Sequence, residues 1–383
     1  MGRVECLDGL RGIAALWVLI GHSMILSGLS LPVIGQPHLG VDLFIMLSGF
    51  LMVLQYQLRR DFEDWSRFGT WAAFWTRRFF RIAPLFYAAL LVALLLGSML
   101  YGDRVAIDTF LDHKLQQPER YLDASFTNVL LHLSFVFGLL PAYAYRTPLP
   151  DWSLGLEMQF YAVFPVLMLL TRRIDWLFTA LLIVCTSIGF VLLTRHAGVH
   201  FPMPSFLPLK MPLFLCGMLI AAASNENRTR LWLWIGGAAL LAAIPLDGHR
   251  DVLHLVVREL LVLVFVALVH FQHLRGIGFA SKFLGSPPFH WLGELSFGVY
   301  LWHLLVLHVV AAWVIARWGH SIRPTERFLI VSGMAAVTSY AIAFVTYKAI
   351  EVPGQKLGKA IQKLVGGSRS TSKSVAAEEI AAP

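Results

Sequence analysis

Eleven apolar stretches, each close to the length of a membrane crossing, occupy most of this 383-residue chain. They lie at about 10–30, 39–58, 82–101, 128–146, 153–171, 174–194, 206–223, 231–246, 252–270, 293–316 and 328–350. A hydrocarbon layer ~30 Å thick takes roughly 20 helical residues to cross. Inside it the backbone has no water to bond, so spanning segments become helices or closed barrels. With 57% hydrophobic and 14% charged residues and a mean hydropathy of +0.67, a soluble domain is excluded. The fold class expected is all-α, a polytopic transmembrane helix bundle. The first stretch lacks a small-residue cleavage site and is too long for a signal peptide, so it should be retained. Cys6, Cys185 and Cys216 are scattered and suggest neither a disulfide frame nor a zinc site.

Charge assigns the sides. With the N-terminus cytoplasmic, Arg59, Arg60, Arg67, Arg77, Arg78 and Arg81 fall inside. The tail, with Lys356, Lys359, Lys363, Arg369 and Lys373, should also be inside, which requires an even number of crossings. The stretch 128–146, holding His132, Gly138 and Pro141, then dips in and returns or lies at the interface, leaving about ten spans. This map puts 18 Lys and Arg inside and nine outside. The net charge of +8 is explained by such anchoring loops and implies membrane lipid rather than nucleic acid as its partner. The membrane domain covers 1–365, and 366–383, rich in Gly, Ser, Ala and Glu, reads as a disordered cytoplasmic tail.

Polar residues within these spans need a reason. Arg11 and His22 are eleven residues apart. That is three turns within ~20°, so both lie on one stripe of a helix, roughly 16 Å apart. Asp8 shares a face with Arg11. An imidazole is the side chain suited to proton transfer near neutral pH, whereas Arg11 can simply snorkel beside its carboxylate. In Asp151-Trp152-Ser153-Leu154-Gly155-Leu156-Glu157-Met158-Gln159-Phe160-Tyr161, Ser153, Glu157 and Tyr161 repeat every four residues. Asp151 or Ser153 suits a helix cap and Trp152 an interfacial anchor. Glu157 lies more than a turn into the apolar phase, where it would orient His22 or hold a sugar hydroxyl. Arg77, Arg78 and Arg81 form a basic face just before a span: an anchor to anionic lipid, or a clamp for a phosphate-bearing donor. Ser296, Tyr300 and His303 share a further face, with His308 beyond. Arg258 and Glu259 read as a buried ion pair or pocket lining. The loop histidines His38, His113, His196, His200, His249 and His320 are expected to be solvated, and no metal site is expected.

The ordered pieces resemble the acyltransferase-3 family of bacterial integral-membrane acyltransferases over about residues 4–355. They are Leu7-Asp8-Gly9-Leu10-Arg11-Gly12-Ile13-Ala14-Ala15 with the spacing to His22, Gly40-Val41-Asp42-Leu43-Phe44-Ile45-Met46-Leu47-Ser48-Gly49-Phe50, and Arg77-Arg78-Phe79-Phe80-Arg81-Ile82-Ala83-Pro84-Leu85. Trp152-Ser153-Leu154 with Glu157 and Phe160-Tyr161, and Ser296-Phe297-Gly298-Val299-Tyr300-Leu301-Trp302-His303, complete the set. Family members modify cell-surface and secreted sugars, including lipopolysaccharide and exopolysaccharide. The resemblance implies an acyl-CoA donor, usually acetyl-CoA, on the cytoplasmic side of a bacterial inner membrane, with no bound cofactor. The acceptor is a polysaccharide or glycolipid hydroxyl at the far side. Arg11, Arg77, Arg78 and Arg81 would grip the donor. His22, as general base or transient acyl carrier, would act with Glu157 and Asp8. Asp42, Trp152, Ser153, Tyr161, Tyr300 and His303 would line the acceptor pocket. Many relatives carry a fused extracytoplasmic domain that this chain is expected to lack, so delivery would be direct or through polysaccharide-assembly proteins. A transporter of lipid-linked sugar also suits the intramembrane charges, but the sequence shows no two-fold repeat.

Overall fold

The computed structural model describes residues 6–225 and 228–365. Among them there is no strand; sixteen helices account for the ordered segments. Helix α1 (Cys6–Ser27) and α2 (Pro37–Arg59) are followed by α3 (Phe68–Leu95) and α4 (Gly97–Phe110). Short α5 (Glu119–Leu122) and α6 (Phe126–Leu133) lead to α7 (Trp152–Arg173), α8 (Trp176–His196), α9 (Leu207–Ala222) and α10 (Arg228–Ala242). Helix α11 (Val252–His270), α12 (Arg275–Leu284), α13 (Pro287–Glu294), α14 (Ser296–Trp318), α15 (Pro324–Thr346) and α16 (Val352–Val365) complete the chain. Eight helices are long and apolar enough to cross a membrane, and two shorter apolar helices, Leu207–Ala222 and Arg230–Ala242, accompany them. The chain is a polytopic helical bundle.

Two boundaries differ from the sequence reading, while 128–146 stays short of a crossing, as that reading expects. The stretch 128–146 is an eight-residue helix, a left-handed Phe135 (φ 59°), a 3-10 turn at Val136–Leu139 and irregular chain. Eight helical residues rise only ~12 Å, so this segment does not cross. Its His132 is buried and stacks on Phe137 at 4.2 Å, covered by protein rather than lipid. The basic face of Arg77, Arg78 and Arg81 does not precede a span; it lies inside α3, which starts at Phe68. Trp71, Phe74, Trp75 and Phe79 between the charges supply an apolar face that carries the helix back to that point. The last span continues past 350 through a π-turn (Tyr347–Glu351) into α16, where Gly354 and Gly358 rest on Pro84 and Phe80 of α3. The tail predicted from 366 lies outside the described residues.

Helices α1, α2 and α14 form the centre. Of the apolar window of α14, 83% is buried, against 22% for the helix Pro324–Gln362. Outer helices turn Phe178, Leu181, Leu192 and Leu193 outward, a surface that water would penalise and lipid does not. Between apolar helices in lipid, close backbone packing replaces the hydrophobic drive. Helices α2 and α9 meet at Gly49 and Gly217, where an added Cβ would fall 2.1 Å from Phe214 O and 1.9 Å from Met46 O. Helices α1 and α13 meet in the same way at Gly12 and Gly293, and α1 meets the end of α12 at Gly9, against Leu284 O.

Gly217→Ala should therefore destabilise the bundle by about 1–3 kcal/mol or more, read as a lower melting temperature of the detergent-purified protein. Gly333, with nothing within 4 Å of its Cβ position, supplies the control: Gly333→Ala should melt no lower than the parent.

Candidate functional site

Two cavities open along the centre of the bundle and share two lining residues, Val41 and Tyr300. The first, about 150 Å³, lies towards the N-terminal end of α1. Helix α1 contributes Asp8 and Arg11, α2 contributes Ser48 and Gln55, α3 contributes Arg78 and Arg81, and α7 contributes Ser153, Glu157 and Tyr161. Their spacing on each helix brings them to the lumen: 8 and 11, 78 and 81, and 153, 157 and 161 are each one turn apart. Arg78 donates to Gln55 Oε1 and lies 5.7 Å from the ring centres of both Phe74 and Tyr161. Glu157 Oε1 accepts from the hydroxyls of Ser48 (2.6 Å) and Tyr161. Three guanidinium groups thus share a mostly apolar cavity lined by two carboxylates, Asp8 and Glu157. Asp8 approaches Arg11 only at 3.9 Å and holds His290 Nδ1 at 2.9 Å.

The second cavity, about 550 Å³, is lined by His22, His38, Arg120, Tyr145, Trp152 and His249, among others. His22 sits three turns beyond Arg11, as the eleven-residue spacing requires. Its Nδ1 faces Val18 O at 3.0 Å and His303 Nε2 at 3.1 Å. His303 Nδ1 in turn faces Tyr300 O at 2.6 Å. A carbonyl only accepts, so both Nδ1 atoms carry the proton and His303 Nε2 is the acceptor for His22. His22 Nε2 is left with a bare lone pair. It has no hydrogen-bond partner among the described residues and is not sealed from the cavity. The wall between the cavities is Tyr300, whose hydroxyl donates to Pro150 O (2.9 Å) and meets Ser153 Oγ (2.6 Å).

Beside the second cavity lies a buried ion cluster. Asp42 Oδ1 holds Lys210 Nζ at 2.5 Å and Asp42 Oδ2 holds Arg258 Nε at 2.8 Å. Asp247 Oδ2 binds the same Lys210 at 2.5 Å and the same Arg258. Two anions and two cations cancel, which is how such charges survive burial. His254 Nε2 lies 3.3 Å from Asp42 Oδ2, and its Nδ1 meets His38 Nε2 at 2.8 Å. The rings of His38, His249 and His254 stack with centres 4.2–4.7 Å apart. Burial, reinforced by the Lys210 ammonium, holds the His249 imidazole below its ordinary range. These three imidazoles form a donor set of the kind a divalent cation uses, although the His38–His254 hydrogen bond accounts for their present approach.

Several residues sit elsewhere than the sequence suggested. Arg77 turns away from the lumen to Glu63 (3.2 Å), which also binds Arg59. Asp42 lines neither cavity, because Lys210 and Arg258 enclose it. Glu157 does not support His22; its partners are Ser48 and Tyr161, and His303 takes the place beside the imidazole. Asp8 is fourteen residues from His22 along one helix, ~21 Å in rise, and does not reach it. His38 and His249 are half-buried in the stack rather than solvated. Arg258 pairs with Asp42 and Asp247, not with its neighbour Glu259. Sequence reasoning missed Lys210, Asp247, His254 and Arg120. An aspartate at position 42, in a span without a helical cation partner, was the signal that cations on other helices had to exist.

The model of the acyltransferase-3 family, described as an acyltransferase domain, matches residues 4–347. The "Putative acetyltransferase ORF330" of Acidianus two-tailed virus is 24% identical over 78% of this chain and 81% of its own length. The "Peptidoglycan O-acetyltransferase OatA" of Listeria monocytogenes is 22% identical over 93% of this chain and 56% of its own length. The "Putative peptidoglycan O-acetyltransferase YrhL" of Bacillus subtilis is 25% identical over 79% of the chain and 48% of its own length. The chain thus spans about half the length of these two bacterial relatives. No solved structure matches it. With the family model covering nearly all of this helical bundle, the chain belongs to the acyltransferase-3 family.

Proposed function

We propose that this O-acyltransferase moves an acyl group, acetyl by default, from acyl-CoA to a hydroxyl of a polysaccharide or glycolipid. The observation that carries the reading is the pair of cavities meeting at Val41 and Tyr300, with guanidinium groups on one side and a bare imidazole nitrogen on the other. The arginine cavity faces the cytoplasm of a bacterial inner membrane, with both termini on that side. Arg11, Arg78 and Arg81 grip the donor's phosphates, a task for which guanidinium forks are well shaped. The narrow apolar lumen takes the pantetheine arm and brings the thioester towards Tyr300. The acceptor enters the far cavity.

His22 Nε2 removes the proton of the acceptor hydroxyl as its oxygen bonds to the thioester carbonyl carbon. The tetrahedral species collapses, the carbon–sulfur bond breaks, and the imidazolium returns its proton to the departing thiolate. His303 positions His22 by accepting its Nδ1–H, which favours the charge that develops on the ring. Glu157, Ser48, Tyr161 and Ser153 shape the donor side, while Trp152 and Tyr300 bound the acceptor side. A histidine that carried the acyl group would also use Nε2. Acid-quenched protein distinguishes the two, since a carrier retains label and a general base does not.

With [14C]acetyl-CoA and a glycan acceptor, purified His22→Ala should lose about 10²–10⁴ of the transfer rate while its KM for donor stays within threefold. A folded His22→Ala protein with normal transfer would end this mechanism. Arg78→Gln and Arg81→Gln should each raise the donor KM about tenfold or more, the worth of a charge-assisted hydrogen bond. Arg77→Gln, whose side chain pairs with Glu63 away from the cavity, should shift it less than threefold.

A further inference from the structure

The far cavity carries charge of one sign. Arg120 and Arg195 are the full cations among its lining residues, and Asp247, the one lining carboxylate, is already held between Lys210 and Arg258. Arg120 is 7% exposed and forms no salt bridge to a carboxylate among the described residues. Its Nε donates to Thr147 O at 3.2 Å, and its Nη1 reaches Gln116 Oε1 (3.4 Å) and the Tyr145 hydroxyl. The guanidinium carbon also lies over the Tyr145 ring, 3.8 Å from its centre. Two of its three nitrogens are thus spent on fixing its position. The third, Nη2, has no hydrogen bond among the described residues and is not closed off from the cavity. The nearby Asp151 carboxylate is taken up by the Thr147 hydroxyl at 2.6 Å, and a buried guanidinium held this firmly with no carboxylate bonded to it among the described residues is costly unless an anion meets it. Its field also reaches His22, for which it is one of the few charged neighbours.

We propose that Arg120 anchors an anionic acceptor, a saccharide whose carboxylate or phosphate docks on Nη2 while a hydroxyl of the same molecule meets His22 Nε2. This rests on the reading of the far cavity as the acceptor chamber. Arg120 is then a specificity-determining residue. It binds the acceptor away from the reacting atoms and takes no part in proton transfer. Neutral glycans reach the same imidazole without the anchor and bind less tightly.

The test is binding of defined trisaccharides to the purified full-length protein: trigalacturonate, its neutral trimethyl ester, and a maltotriose phosphate. One of the two anions should bind at least about tenfold tighter than the ester, as one charge-assisted hydrogen bond allows, and which one does so names the anion. Arg120→Gln should bring that ratio to within threefold, and Arg120→Lys should restore part of it. Unchanged binding of the neutral ester shows that each variant is folded. Equal binding of anion and ester by the parent, a preference that survives Arg120→Gln, or no binding of either anion would overturn the proposal. If the anion binds through Arg120 yet is never acetylated from [14C]acetyl-CoA, the anion site stands and the acceptor-chamber reading fails.

Discussion

A backbone carbonyl decides what the central imidazole can do. Inside helix α1, Val18 O claims the Nδ1 proton of His22 from one turn below, and His303 shares it from α14. The same device recurs at His132 on Asn128 O and at His308 on Leu304 O, each using the carbonyl four residues back. In every case Nε2 is pushed outward and its environment sets its role. At His308 it meets the Tyr121 hydroxyl at 3.0 Å and is structural. At His22 it meets a cavity. The pairing with His303 depends on α1 lying close against its neighbours, which Gly9 permits at α12, Gly12 at α13 and Gly21 at Pro37. Bulk at those glycines would shift the imidazole without touching it.

Charge within the bundle sorts by whether it is neutralised. Asp42, Asp247, Lys210 and Arg258 form a closed set with every formal charge matched, and Arg104 closes on Asp108 at 2.9 Å. Such groups hold helices in register without needing a ligand. The guanidinium groups of Arg78, Arg81 and Arg120 form no salt bridge among the described residues, and all three face a cavity. A membrane protein retains unmatched buried charge where a ligand completes it. Arg11, Arg78 and Arg81 line one cavity, His22 and Arg120 line the other, and Val41 and Tyr300 border both.

The helical bundle was readable because apolar length alone specifies it, and the Lys and Arg bias correctly marked 128–146 as the stretch that does not cross. Within one helix, spacing gave the right faces: Arg11 and His22, Ser153 with Glu157 and Tyr161, and Tyr300 with His303. Contacts between helices were not readable, since periodicity fixes a face but not its partner. Glu157 therefore went to Ser48 rather than to His22, and Arg77 to Glu63. The histidines at 38 and 249 look like loop residues in the chain, and only folding brings His254 between them. Arg120 sits in a polar connection between spans, where an arginine carries no signal until Tyr145 and Thr147 close around it.

The claim on which the account rests is the protonation of one ring, and nitrogen NMR of 15N-histidine-labelled protein in lipid nanodiscs reads it directly, with His22→Gln assigning the resonances. A neutral His22 ring bearing hydrogen on Nδ1 and a bare Nε2 is the predicted result. A ring protonated on Nε2 instead would leave no base facing the far cavity and would contradict the mechanism.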